Sequence, residues 1–359
     1  FFFNHKTAYA MLRSLVGSEM CIRDRYTGGE LIRIILNHPK IKLEFVYSST
    51  RAGSLLSDKH NDLLGVTDIK FTNVINKSID IAEKDFGGLV IGNEGAHFSA
   101  GANLGMIFMM SVEQEYDEIN MAIKYFQDTM MRLRYSTIPT IAAPHGLTLG
   151  GGCELTMHCD KAVVNPETYI GLVEVGAGLI PGGGGSKEMT MRASEKFSKN
   201  DVEVNVLQEY FLNIGMAKTS TSAHEAFEIG LLEKSKDLVL MNKNSQIAIA
   251  KKYAILLSES GYVPPLRGKN IKVLGKQALG MFLVGTDSMK TAKYISDQDK
   301  KIANKLAYVM AGGDLSEPTF VDENYLLDLE REAFLSLCSE RKTLERIEHI
   351  LKTGKPLRN

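Results

Sequence analysis

Apolar positions change period several times along the middle of the chain, and each change marks a different element. Phe86 to Gly92 (FGGLVIG) is a short apolar run between glycines, the form of a buried strand. Ile119, Ile123, Phe126, Met130 and Leu133 then recur every three or four residues, which predicts one face of an amphipathic helix. Thr137 to Ala143, with Pro139 near its start, and Lys161 to Asn165 are two further strand candidates. Strands alternating with helices in this way predict an α/β layered domain. Upstream, the text from Tyr26 carries a helical pattern, a break at His38-Pro39 and an alternating strand at Leu43 to Tyr47, a piece of a separate α/β unit. Beyond Lys234 charged and apolar residues alternate in helical style. Leu326, Leu329, Ala333, Leu337, Leu344, Ile347 and Leu351 predict one face of a long C-terminal helix ended by Gly354 and Pro356. Part of that face is expected to lack a partner and to drive self-association.

Composition narrows the class without naming a function. The chain has 359 residues, 44% hydrophobic and 24% charged, with a formal charge of −1, so no bulk electrostatic attraction points to nucleic acid or an anionic membrane. The longest strongly apolar run, Leu104 to Val112, is far short of the roughly 20 residues a spanning helix needs. Four cysteines (Cys21, Cys153, Cys159, Cys338) without C-x-x-C spacing argue against a disulfide framework or zinc site and favour a reduced, cytoplasmic setting. Phe1 to Arg25 has neither an initiator Met nor a clean apolar core before a small-residue cleavage site, and is set aside as an artefactual leader.

Three glycine-rich places are candidates for chemistry. Gly150-Gly151-Gly152-Cys153-Glu154 lies where a helix begins, and the unpaired N–H groups of a helix start can hold an oxyanion, although a triple glycine is also an ordinary loop. Glu154 and Glu174 are the carboxylates there. Glu174 stands among apolar and small residues (GLVEVG) that should perturb its pKa. The two either divide acid and base roles or are merely a helix-start charge and a salt-bridge partner. The run Gly182 to Lys187 has the order G-S-K, which is not a phosphate loop, and no complete G-x-G-x-x-G follows any strand candidate. His145, His158 and His349 have no partners at metal-ligand spacing and are read as structural, with no metal site.

Taken together, Ser99-Ala100-Gly101-Ala102, Leu149 to Leu155 (LGGGCEL), Glu174 and Leu179 to Gly185 (LIPGGGG) resemble the crotonase, or enoyl-CoA hydratase/isomerase, superfamily. The wider text through Asn359 looks like the hydratase part of bacterial bifunctional 3-hydroxyacyl-CoA dehydrogenase/enoyl-CoA hydratase proteins of fatty-acid β-oxidation. The resemblance implies an α/β crotonase-like fold, a spiral of ββα units, here N-terminally incomplete and followed by a helical C-terminal region. It implies backbone N–H groups of Ala100 and Gly151 as an oxyanion hole, Glu154 and Glu174 as catalytic acid/base groups, and Ser99, Gly101, Gly150 and Gly182 around substrate and water. Asn103 departs from the Asp of many members. It further implies an acyl-CoA thioester as substrate, no cofactor for hydration, NAD only through a dehydrogenase domain absent from this chain, and a second copy or a β-oxidation enzyme as partner.

Tyr26-Thr27-Gly28-Gly29-Glu30-Leu31 is similar to the N-terminal region of N-acetyl-γ-glutamyl-phosphate reductases, but the preceding strand and leading glycines of a nucleotide-binding turn are missing. The expected organisation is therefore a leader at 1–25, a reductase-like fragment at 26–81, a hydratase core at 82–235 and a helical region at 236–359, with the two texts meeting near Asn76 to Ala82. Three functional expectations follow: an enoyl-CoA hydratase module, an inactive fusion that at most binds acyl-CoA, or an NADP-dependent reductase fragment.

Overall fold

A computed structural model describes residues 2–3, 18–23, 36, 42–47, 54–58, 63, 66–72, 75–93, 95–198, 202–267 and 270–359. Gly28 and Gly29 of the reductase-like turn lie outside them. The chain forms an α/β fold with parallel strand pairs and a helical C-terminal region. Its contacts divide it into two units, one of residues 1–93, 133–143 and 244–265, the other of 94–132, 144–243 and 266–359.

In the first unit the strands Ser18–Arg23, Lys42–Tyr47 and Phe71–Thr72 pair in parallel, in that order. Part of the segment set aside as a leader thus forms the strand that the reductase-like text lacked. Ladder bonds come from backbone groups that almost any sequence offers, and Met20-Cys21-Ile22 is compatible with extended chain. Leu89–Ile91 and Thr140–Ala142, both expected strands, pair in parallel with Val90 opposite Ile141. The helix Ile75–Asp85 runs without a break through residues 76–82, where the two texts meet, and buries Ile79 and Ala82. The unit also contains the helix Gln246–Glu259.

The second unit carries the glycine motifs. Gly146–Leu149 and Thr168–Gly171 form a two-stranded parallel ladder, and Ser99 bridges in parallel to Thr148. Each strand has a glycine at one end and is too short to show a period in sequence. Around them pack the helices Gly151–His158, Gly185–Lys196 and Glu203–Gly215, and the tail helices. The long C-terminal helix is two helices, Glu323–Cys338 and Arg341–Thr353, because Glu340 has extended backbone (φ −84°, ψ 125°) and caps the second one. Their apolar face has its partners within the unit: Leu326, Ala333, Leu337 and Ile347 are buried, and only Leu351 of the expected stripe is exposed. Self-association through a bare tail face is therefore not supported.

The second tail helix also fixes a turn. Thr343 Oγ1 donates to the carbonyl of Gly178 at 3.0 Å, and the buried Arg346 reaches the carbonyl of Val175 at 3.4 Å and Asp299 at 2.8 Å. Both contacts grip the short 3-10 helix Glu174–Ala177, which carries one of the candidate carboxylates.

Candidate active site

The loop after Phe98 lies along the start of the helix Gly151–His158. Ser99 N donates to the Leu147 carbonyl (3.0 Å) and Leu149 N to the Ser99 carbonyl (2.9 Å), which fixes the register. A side-chain carbon placed on Gly152 would stand 2.4 Å from Ser99 Cβ, and one on Gly150 would stand 3.6 Å from Gly101 Cα. Contacts on both sides therefore bracket Ala100 and Gly151 against each other. Gly150 has φ 54° and ψ −123°, a backbone state that side-chain-bearing residues rarely adopt, and this bend turns the strand into the helix. Among the described residues, neither the Ala100 nor the Gly151 N–H has an acceptor. Two uncommitted donors side by side at a helix start are the arrangement that stabilises a developing oxyanion.

The two sequence-predicted carboxylates come to this place. Glu154 is 2% exposed, and its Oε1 accepts from Gly183 N at 2.8 Å and Gly185 N at 2.9 Å. Its Oε2 faces the other way, 2.6 Å from where a side-chain carbon on Gly183 would stand, beside the Phe126 ring. Glycine at 183 is required by that approach, since the same carbon would fall 2.2 Å from Phe126. Glu174 comes within 3.1 Å of the corresponding position on Gly150 through Oε1, while its enclosed Oε2 has no hydrogen-bond partner. Burial pushes Glu154 up to about 7 against the two amide bonds that favour its charge. Burial and then the nearby Glu154 hold Glu174 well above the ordinary carboxylate range.

The sequence reading missed a third carboxyl group. Glu330, fully buried on the helix Glu323–Cys338, accepts from Gly184 N (2.6 Å) through Oε1 and from Ser186 N (2.8 Å) and Lys187 N (3.2 Å) through Oε2. Burial, with repulsion from Glu154 next, raises it to about 8. One signal was available. Glu330 occupies the stripe of Leu326, Ala333 and Leu337, where a solvated charge has no place.

Lys187 was also missed. It is fully buried, with Nζ 2.5 Å from Glu188, 3.0 Å from His158 Nε2 and 3.5 Å from Glu323. His158 Nδ1 bonds the Glu154 carbonyl at 2.7 Å. His158 Nε2 also lies 3.4 Å from Glu188 Oε1, so the ring ties the Glu154 backbone to the buried Lys187–Glu188 pair.

The remaining candidates sit close by in mainly structural contacts. Ser99 Oγ accepts from Gly101 N at 3.2 Å, and Asn103 Oδ1 accepts from Met106 N at 3.2 Å as the cap of the helix Leu104–Val112. The departure from Asp at 103 thus falls on a residue with a capping task. Gly182 lies against the Phe334 ring, 2.9 Å from where its side-chain carbon would be. Among the described residues no group of three His, Cys, Asp or Glu could hold a metal, and no helix is long and apolar enough to cross a membrane.

A free N–H pair beside two carboxyl groups coincides with a match to the enoyl-CoA hydratase/isomerase family model over residues 68–207. Over those residues the chain is similar to that family. Residues 25–87 match a second model, the NAD-binding domain of semialdehyde dehydrogenases, so two family segments meet within one chain. The probable 3-hydroxyacyl-CoA dehydrogenase of Bacillus subtilis (strain 168) is 44% identical over 286 residues, 80% of this chain and 36% of that protein. The N-acetyl-γ-glutamyl-phosphate reductase of Christiangramia forsetii is 54% identical over 56 residues, 16% of this chain and 17% of that one. The crystal structure of an enoyl-CoA hydratase from Bacillus halodurans aligns with a TM-score of 0.49 at 16% identity, over 76% of this chain and 86% of the other. The chain spans about a third of the length of the long dehydrogenase and fatty-acid-oxidation relatives it matches.

Proposed function

We propose that this enoyl-CoA hydratase/isomerase segment adds water across the 2,3 double bond of a 2-enoyl-CoA thioester, giving the 3-hydroxyacyl-CoA. The observation that carries the reading is the conjunction of the free Ala100 and Gly151 N–H groups with Glu154 and Glu174. The thioester oxygen would accept from both N–H groups, which stabilise the enolate-like charge that forms as C3 is attacked. Glu154, held at Oε1 by two amides, offers Oε2 to a water and takes its proton as the oxygen bonds to C3. Glu174 delivers its own proton to C2. Exchange with solvent then returns the proton gained by Glu154 to Glu174, and the two titrate as a coupled pair.

Retention of both carboxyl groups favours hydration over chemistries that need only the oxyanion hole. The reaction needs no cofactor. In this reading NAD enters only at the next step, oxidation of the 3-hydroxyacyl-CoA by a dehydrogenase such as the one named in the Bacillus subtilis relative, in a cytoplasmic β-oxidation sequence. Mixing the full chain with crotonyl-CoA and following loss of the enoyl thioester absorbance tests it. Turnover should be present in the unaltered chain and fall steeply in Glu154→Gln and Glu174→Gln. Binding without turnover would select the inactive acyl-CoA binder, and thermal protection by NADP would favour the reductase fragment.

A further inference from the structure

The glycine turn that orients Glu154 is shared. Along residues 183–187 successive backbone N–H groups alternate between two acceptors: Gly183 and Gly185 donate to Glu154, while Gly184, Ser186 and Lys187 donate to Glu330. Such alternation fixes the turn from both sides. If Glu330 released its three donors, the peptide planes of 184 and 186 could rotate, and those of 183 and 185 would no longer be aimed at Glu154. We infer that Glu330 is a positioning residue that locks this turn and thereby sets the direction of Glu154. Its use in catalysis rests on the hydration reading; the lock itself does not.

All the charged and titratable groups around Glu154 belong to this picture. Glu174, Glu330, Lys187 and Cys153 act on it or are acted on by it. Behind Lys187 stand His158, Glu188 and Glu323, with Arg192 3.8 Å from Glu188. Lys187 is held by Glu188 and Glu323 and so does not neutralise Glu330 directly. The amides of Gly183 and Gly185 favour the charged form of Glu154, and Glu330, 176 positions downstream, keeps them aimed at it by holding the N–H groups of Gly184, Ser186 and Lys187.

The test is Glu330→Gln in the full chain, read in two ways. In 13C-glutamate NMR titrations the Glu154 resonance, assigned by its loss in Glu154→Gln, should shift its midpoint up by about one pH unit as the two amides leave it. In the hydration assay the acid limb of kcat should move up by the same amount while KM changes little. Glu323→Gln, on the same helix and also buried, serves as the control for mere destabilisation and should leave the Glu154 midpoint in place. An unmoved Glu154 midpoint in a folded Glu330→Gln chain overturns the inference. Should that variant fail to fold, Glu154→Gln carries the test in reverse: the Glu330 midpoint falls if the two share the turn, and stays if they do not. Absence of hydration in a chain whose two carboxyl groups still titrate together would sink the proposed reaction and leave the lock standing.

Discussion

Two helix starts in the second unit are nearly alike as text, Gly150-Gly151-Gly152 and Gly182 to Gly185, yet they have opposite fates. At the first, the Gly151 N–H, like that of Ala100, has no acceptor among the described residues. At the second, every N–H from Gly183 to Lys187 is bonded to a carboxylate of the protein's own, Glu154 or Glu330. Glycine at a helix start makes the donors approachable; it does not decide who approaches. In the proposed hydration the open start is left for a substrate oxygen and the filled one is spent on aiming a base.

The comparison can be broken at its most sensitive point by Glu154→Gln, which removes the group that links the two helix starts. Turnover should fall by about 10²- to 10⁴-fold, the usual worth of a positioned general base, with substrate binding kept. Gly183→Ala attacks the filled start instead. The new methyl would sit 2.2 Å from Phe126 and 2.6 Å from Glu154 Oε2, so both must move. A displaced base should cost on the order of 10²-fold in kcat, measurable in the same assay.

A pH series sharpens the comparison through stability. Glu154 at about 7 and Glu330 at about 8 both bind protons more tightly in the folded chain than at the ordinary 4.5. The folded state therefore holds more protons than the unfolded one between those values, and stability falls as pH rises from about 4.5 toward 8. Urea midpoints recorded from pH 5 to pH 8 should decline, while turnover rises through about 7 as Glu154 ionises. A flat or rising midpoint would contradict the burial of two competing carboxyl groups. The smallest effect is expected at the open start: Asn103→Ala removes a helix cap, worth about 1 kcal/mol in thermal or chemical unfolding, and leaves the Ala100 N–H and turnover in place.

What could be read in the sequence was whatever the chain states locally. The strands at Leu89–Ile91, Thr140–Ala142 and Lys161–Val164 and the helix Tyr116–Arg134 rest on short-range pattern, whereas the grouping of Ala100, Gly151, Glu154 and Glu174 came from the resemblance to the crotonase superfamily. The apolar stripe marked Glu330 as a buried acid, but its role was not legible because its donors lie 143 to 146 residues away. Lys187 hid for the same reason: the partners that make its burial tolerable, His158 and Glu323, come from two other helices. The tail stripe was read correctly as apolar, but a sequence without its partner surface in view could not show that the partners lie in the same unit. Short strands such as Gly146–Leu149 leave no period to detect.

The most direct measurement is the infrared difference spectrum of crotonyl-CoA carrying a 13C thioester carbonyl, bound to the Glu154→Gln chain so that turnover does not intervene. Donation by the Ala100 and Gly151 N–H groups predicts a carbonyl stretch shifted to lower frequency than in water, because two preorganised donors polarise the C=O bond more than solvent does. A bound thioester whose carbonyl frequency equals or exceeds its value in water would mean that the open helix start does not receive the substrate oxygen.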